Sequence, residues 1–343
     1  MGNHPDPSHI MQVGMGFMPS KVLLSAVRLG LFTFLGQDDK RTSEIKDHLG
    51  LQTSTRHVCD WLDALVSLGF LHRDGLMETA TYSNTPATAA FLDRTKAAYM
   101  GGLLEMANSR LYRFWGDLEE GLLTGRPQNE SKQGNMNFFH NLYQSPEKLH
   151  EFVAAMSGFQ GGNFAALVKA FDFSKYRTVA DLGGADGFLC CMIAQHHPVV
   201  TCTTYDLPPV KPLADTRIEQ SKLQNRVKAE NIDIEKDSFP AADVIMMGNV
   251  LHGYDEPLKQ RFIQKACDAV NDGGAFIAIE SVIDDERRQN TLGLLMSLNM
   301  LIENGGGFDY SHQDFQRWAK AAGFRRTEVI PLAGPTSAAI AYK

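Results

Sequence analysis

Cysteine is scarce in this chain: Cys59, Cys190, Cys191, Cys202 and Cys267 among 343 residues. The count is odd, no C-x-x-C pair occurs, and adjacent Cys190 and Cys191 cannot easily bridge each other. A disulfide framework and a cysteine-built zinc site are thereby excluded; reduced core cysteines and no metal are expected. Basic excess is also missing. Lys and Arg number 33 against 40 Asp and Glu, a formal charge of -7, which is not the electrostatic footprint of a nucleic-acid binder. No signal-peptide pattern is present: residues 1–10 are polar and carry Pro5 and Pro7. Gly2 invites myristoylation, but Asp6 stands where Ser or Thr is wanted. The most apolar early stretch, residues 11–35, is interrupted by Lys21 and Arg28 and reads as too short and too charged for a membrane span. These absences predict a cytoplasmic protein with neither a membrane nor a nucleic-acid partner.

What is present is ordinary in bulk. Hydrophobic residues are 43% and charged residues 21%, the balance of a globular chain. At about 150 residues per domain, the length predicts roughly two domains. Residues 20–34 read as a helix with Ser20 as N-cap. A short helix around Thr42 to Ile45 closes at Gly50, and a longer one runs from Ser54 through Trp61 and Leu65 to Gly69. Residues 70–83 read as a β-hairpin. Three helices and a hairpin are the order of a winged helix. Its would-be recognition helix holds Arg56 and His57 but also Asp60 and Asp63. Its net negative charge opposes phosphate, so interaction or dimerisation is the expected role. Residues 96–170 look helical, with a break at 124–129, and are rich in aromatics including Phe114, Trp115, Phe138, Phe139, Tyr143 and Phe159. Most belong to a core; a few are expected to line an apolar pocket.

The second half changes period. Residues 177–182, 199–205, 244–247 and 275–279 are short apolar runs separated by helical stretches, the pattern of a parallel sheet with right-handed crossovers. Ligands of such sheets bind outside the carboxyl ends of the strands. The first run ends in Asp181-Leu182-Gly183-Gly184-Ala185-Asp186-Gly187, a glycine turn through which a backbone approaches a ligand closely. Two carboxylates within about 6 Å of a pyrophosphate would cost on the order of 1–3 kcal/mol. A dinucleotide is therefore disfavoured. S-adenosylmethionine, which has no phosphate and carries a sulfonium and an ammonium group, suits the turn. Asp206 ends the second strand, where an acid accepts hydrogen bonds from ribose hydroxyls. Asp237 is expected near the third strand end, beside adenine.

With these motifs the chain resembles the small-molecule O-methyltransferases, the group of caffeic acid, hydroxyindole and antibiotic-tailoring enzymes. The resemblance rests on the Asp181 turn, Tyr205-Asp206-Leu207-Pro208, Asp237-Ser238-Phe239, Val250-Leu251-His252, Asp272-Gly273-Gly274 and Ala321-Ala322-Gly323-Phe324. It implies an α/β fold: a mostly helical winged-helix dimerisation domain over 1–95, a helical linker over 96–170 contributing to the acceptor pocket, and a Rossmann-like class I methyltransferase domain over 171–343. It implies a homodimer that binds S-adenosylmethionine at Asp181, Gly183, Gly184, Gly187, Asp206, Leu207, Asp237, Ser238, Phe239 and Asn249. His252 would be the catalytic base and Glu280 and Asp309 its supporting acids. A small-molecule methyl acceptor would meet Tyr143, Met156, Phe159, Asn299, Met300, Asn304 and Tyr310.

Three departures qualify the resemblance. Ala185 replaces the central glycine of the usual turn, and its methyl calls for a negative φ or a small ligand shift. Gly248 stands where plant members carry lysine. Gly253-Tyr254 follows His252 where Asp-Trp is usual. A relaxed base opens a chemical alternative, because a thioether sulfur is nucleophilic without losing a proton: an S-methyltransferase acting on a small acid such as 4-methylthio-2-hydroxybutyrate. For such an anion His140, Tyr143, Arg110 and Tyr310 are candidate contacts; for an aromatic acceptor, Phe114, Phe139, Met156, Phe159, Met296 and Met300. A catalytically impaired cofactor-binding protein is the third reading.

Overall fold

The structure, a computed structural model, describes residues 5–96, 98–133 and 142–343. His140, Phe138 and Phe139 lie outside the described residues. The chain divides into two compact units between Arg113 and Phe114, so the helical stretch expected over 96–170 is shared between them.

The N-terminal unit contains α1 (Ser8–Gly14), α2 (Phe17–Leu29), α3 (Leu31–Leu35), β1 (Lys40–Arg41), α4 (Thr42–His48), α5 (Thr55–Ser67), β2 (Leu71–Asp74), β3 (Thr81–Asn84), α6 (Pro86–Phe91) and α7 (Gly101–Met106). The single helix expected over 20–34 begins earlier, with Ser20 inside it, and breaks at Gly30. Gly30 takes φ 77°, a left-handed cap that glycine adopts without a Cβ penalty. Ser54 caps α5 by accepting the His57 N–H. The antiparallel β2–β3 hairpin with β1 on its far edge completes the winged helix. Ala26, Leu31, Phe32, Ile45, Val58, Leu62, Leu65 and Tyr82 fill its core. On α5, Arg56 pairs with Asp60 at 3.0 Å.

One expectation needs correction here. By length and composition the 22 residues Ser8–Leu29 are long and apolar enough to cross a membrane. Within this stretch Leu24, Ala26 and Val27 are buried, but Ile10, Met11, Val13, Phe17 and Met18 are exposed.

The second unit is built on a seven-stranded sheet: β4 (Thr178–Leu182), β5 (Thr201–Asp206), β6 (Val227–Asn231), β7 (Ala242–Gly248), β8 (Val270–Glu280), β9 (Arg326–Pro331) and β10 (Ser337–Tyr342). Their order is β6-β5-β4-β7-β8-β10-β9, all parallel except β10, which runs antiparallel to both neighbours. The helices are α8 (Leu118–Thr124), α9 (Pro146–Ala170), α10 (Phe188–His196), α11 (Lys211–Gln220), α12 (Glu256–Ala269), α13 (Thr291–Asn304) and α14 (His312–Ala322). Alternation divides the core in two. Val179, Val244, Met246, Ile277 and Ile340 face one layer; Ala180, Ile245, Met247, Phe276 and Ala339 face the other. A sheet buried on both faces is what near-continuous apolar strands require. The five cysteines are buried and free. The strand order reverses between β4 and β7, which locates the ligand crevice at their carboxyl ends.

Candidate active site

Beyond β4 the chain passes through Gly183 and Gly187, both left-handed at φ 73° and 74°. A Cβ on Gly184 would lie 2.3 Å from the Thr204 hydroxyl and 2.7 Å from an Asp181 carboxylate oxygen. The turn is therefore closed to side chains and leaves its backbone bare. Ala185 also stands at φ 50°, so the negative φ expected for it is not adopted, at a cost of about 1–2 kcal/mol for an L-residue. Its N–H donates to Asp206 Oδ2 at 3.0 Å, and the Leu207 N–H donates to Asp206 Oδ1 at 2.7 Å. These two bonds aim the carboxylate across the turn.

Burial pushes Asp206 up to about 6, against the two backbone donors. Asp181 rises to about 7, first by burial and then by the charges of Asp206 and Asp186. The Thr204 hydroxyl is buried without a hydrogen-bond partner. Two strained acids and an orphaned hydroxyl beside a bare turn fit a ligand that brings positive charge and hydroxyl donors. Asp186 is different. Arg217 holds it at 2.5 Å, and it accepts from Ser157 at 2.9 Å. These contacts tie α9 and α11 to the turn through a paired carboxylate.

Asp237 is exposed and six residues past β6, where its Oδ2 accepts the Asp233 N–H at 2.8 Å. Ser238 is exposed, and Phe239 is buried near Phe262 with ring centroids 6.4 Å apart. Burial raises the Tyr254 phenol, and Glu235, then Asp233 and Asp206, add to that; Asp233 itself is paired with Lys236 at 2.7 Å. Tyr143 and Ala185 pack against the same small cluster of Leu142, Leu149, Val153 and Val210, and burial, then the Asp206 charge, raises the Tyr143 phenol.

The second cluster lies past β7. Asn249 takes φ 52°, tolerable for asparagine, and turns the chain so that the Val250 and His252 N–H groups donate to Glu280 Oε1 at 3.2 and 3.4 Å. His252 Nδ1 stands 3.7 Å from Glu280 Oε2 and 3.5 Å from Asp309 Oδ1. Both acids are about 1% exposed. Glu280 Oε2 and both Asp309 carboxylate oxygens lack hydrogen-bond partners, so they attract a proton on the imidazole. Burial alone would lower the His252 pKa, but the charges of Glu280 and Asp309 outweigh it and lift it to about 9. Burial raises Glu280 as well. The three ligand atoms lie within 4.8 Å of one another, a spacing compatible with a metal ion. It is equally that of an imidazolium between two carboxylates, and the fully buried Lys259 ammonium acts electrostatically on Glu280, which disfavours a second cation there.

Crowding does not account for the missing acid after His252, since position 253 has room for a Cβ at ordinary contact distance. A Cβ on Gly307 would lie 2.6 Å from the His252 carbonyl oxygen, and one on Gly253 would lie 3.4 Å from Asn304 Nδ2. Asn304 donates to the Gly253 carbonyl at 3.3 Å. Asn299, on the same helix α13, accepts the Trp115 indole N–H at 2.9 Å. Met300 is buried, and Met156 and Phe159 are half-buried on α9. Tyr310 is 1% exposed, stacked on Phe315 with its hydroxyl unpartnered; it is packed in the core and subject to the charges of the two acids. Arg110 lies in the N-terminal unit.

The chain matches the O-methyltransferase domain family over residues 115–325 and the O-methyltransferase dimerisation domain family over residues 11–94. It is 35% identical to the tetracenomycin polyketide synthesis 8-O-methyl transferase TcmO of Streptomyces glaucescens, over 98% of this chain and 97% of that one. It is 28% identical to the N,N-dimethyltransferase OxyT of Streptomyces rimosus, over 92% and 90% of the two chains. Among solved structures it superposes on human N-acetylserotonin methyltransferase in complex with S-adenosylmethionine with a TM-score of 0.88 and 25% identity, covering 100% and 99% of the chains. These comparisons give no support to the sulfur-acceptor alternative. The chain belongs to the O-methyltransferase family and is an S-adenosylmethionine-dependent methyltransferase.

Proposed function

We propose that this protein methylates a hydroxyl oxygen of a small aromatic acceptor, with His252 as the proton acceptor. The observation that carries this reading is the imidazole clasped on its Nδ1 side by two buried carboxylates, Glu280 and Asp309. With Nδ1 committed to the acids, Nε2 is the nitrogen left to take a hydroxyl proton, and the carboxylates stabilise the imidazolium that forms. When bound, S-adenosylmethionine supplies an electrophilic methyl on a sulfonium. Asp206 accepts the ribose hydroxyls, and Ala185 and Leu207 keep it oriented. Gly183, Gly184 and Gly187 let the backbone close on the cofactor, Asp181 faces its positive charge, and Asp237, with Ser238 and Phe239, is the acid near adenine. Asn249 shapes the turn that delivers His252.

Met156, Phe159, Asn299, Met300 and Asn304 shape the acceptor side. Holding oxygen and methyl in near-attack geometry supplies much of the acceleration. The aromatic acceptor class rests on the named substrates of the relatives TcmO and N-acetylserotonin methyltransferase. The exposed apolar residues of α1 and α2 suit a second copy of this chain, a homodimer in the cytoplasm. Turnover of methyl-labelled cofactor against hydroxyaromatics, arylamines and methylthio acids tests the reading. Label in a hydroxyaromatic supports it; transfer only to a methylthio acid, or cofactor binding with no transfer, overturns it.

A further inference from the structure

Helix α12 buries a regular stripe of Lys259, Phe262, Ile263, Ala266 and Cys267, the spacing of a core-facing helix surface. Lysine is the one charged member of that stripe, and it is 0% exposed. An ammonium in such a place costs several kcal/mol unless its surroundings compensate it. Its surroundings are specific. Nζ donates to the carbonyl of Tyr254, two residues after His252. It also lies 3.5 Å from the ring centroid of Phe308, the residue before Asp309. One ammonium thus joins the turn that carries His252 to the segment that carries Asp309.

We infer that Lys259 is a positioning residue for methyl transfer: it ties the base-bearing and acid-bearing segments together and supplies the buried positive charge that keeps the imidazole able to give up its proton. The inference rests on the reading of His252 as base. The charged groups acting on His252 are Glu280 from β8, Asp309 from the segment before α14, and Lys259 from α12. Those acting on Lys259 are Glu280, Asp309, Asp255 and Glu256, and burial brings Lys259 itself down to about 8. The Tyr310 phenol feels the same two acids. Without the ammonium, two carboxylates would hold the imidazolium proton unopposed. Near pH 7 Lys259 is charged and repels that proton.

The test is Lys259→Met, which keeps an unbranched apolar chain of nearly the same length, beside Lys259→Gln, which keeps an N–H donor for the Tyr254 carbonyl and removes the charge. The His252 titration is followed by nitrogen-15 NMR of ring-labelled full-length protein, with His252→Gln fixing the assignment. Both variants should bind S-adenosylhomocysteine as the parent does, titrate His252 about one pH unit higher, and turn over about tenfold more slowly at pH 7. If Lys259 is only a packing residue, the variants will change melting temperature but leave the His252 midpoint and the rate at pH 7 where they were. That result overturns the inference. Lys259→Gln secures the measurement should the methionine variant fail to fold. A parent His252→Gln that retains full turnover would instead overturn the base assignment, while the NMR midpoint in the Lys259 variants still decides whether the ammonium acts on His252.

Discussion

Glu280 holds His252 twice: its Oε1 accepts the histidine's backbone N–H at 3.4 Å, and its Oε2 stands 3.7 Å from the imidazole Nδ1. One carboxylate therefore sets both where the residue sits and how its ring is charged. The acid is buried on the last residue of β8, so neither relationship depends on a flexible surface group.

The electrostatic half of that relationship sets the pH dependence. His252 must be neutral to accept a proton, and its pKa is lifted to about 9. Its neutral fraction therefore grows about tenfold per pH unit below that value and levels above it. kcat/KM for the acceptor should rise from pH 6 toward pH 9. Glu280→Gln removes one negative charge and should move the midpoint down toward the ordinary 6.5. The imidazolium's contribution to folding stability has the matching sign: fully present below pH 6.5, lost as pH climbs through about 9. A parent profile that is flat from pH 6 to 9 would contradict this electrostatic account.

Asp206→Ala should weaken S-adenosylhomocysteine binding by about a hundredfold, since each hydrogen bond to a charged group contributes about 1.5–3 kcal/mol. Calorimetry measures it directly. Because Asp206 and Asp181 are raised to about 6 and 7 by burial, S-adenosylmethionine should bind more weakly at pH 5 than at pH 7.5 and release protons on binding. Unchanged affinity in the variant removes Asp206 from the cofactor site.

Ala185→Gly should stabilise the fold. The φ of 50° costs alanine about 1–2 kcal/mol, while glycine's extra chain entropy returns about 0.5–1 kcal/mol of that. A gain of about 1 kcal/mol or less, or about 1–3 °C in Tm, is expected. Thermal melting with and without S-adenosylhomocysteine tests it; a lower Tm would show that the alanine is not strained.

Gly307→Ala should damage catalysis more than cofactor binding. The added methyl would sit 2.6 Å from the His252 carbonyl oxygen, and backbone there has to shift. A 1 Å displacement of a positioned group costs about a hundredfold in rate. kcat should fall by about tenfold to a hundredfold while S-adenosylhomocysteine affinity holds. Equal losses in both would point to a general disturbance of the fold.

The strands richest in apolar residues were legible from sequence: β7 and the carboxyl half of β8 are buried on both faces and almost wholly apolar, and β4 is apolar apart from Thr178 and Asp181. The strands that escaped notice have other chemistry. β6 alternates Val227 and Ala229 with Lys228 and Glu230, β9 opens on Arg326, and β10 is largely alanine, a poor strand former. Asp181 and Asp206 were read from their positions at strand ends, and His252, Glu280 and Asp309 from the family resemblance. Lys259 was not legible: on α12 it occupies a position where the helical pattern calls for an apolar side chain, and only the fold shows that Tyr254 and Phe308 receive its ammonium.

The assignment of His252 as the proton acceptor is tested most directly by the single-turnover rate of methyl transfer to a hydroxyaromatic acceptor by His252→Ala, measured alongside S-adenosylhomocysteine affinity. Loss of about 10²–10⁴-fold in rate, with affinity unchanged, is the expected result for a general base. A variant that transfers the methyl group at the parent rate would contradict it.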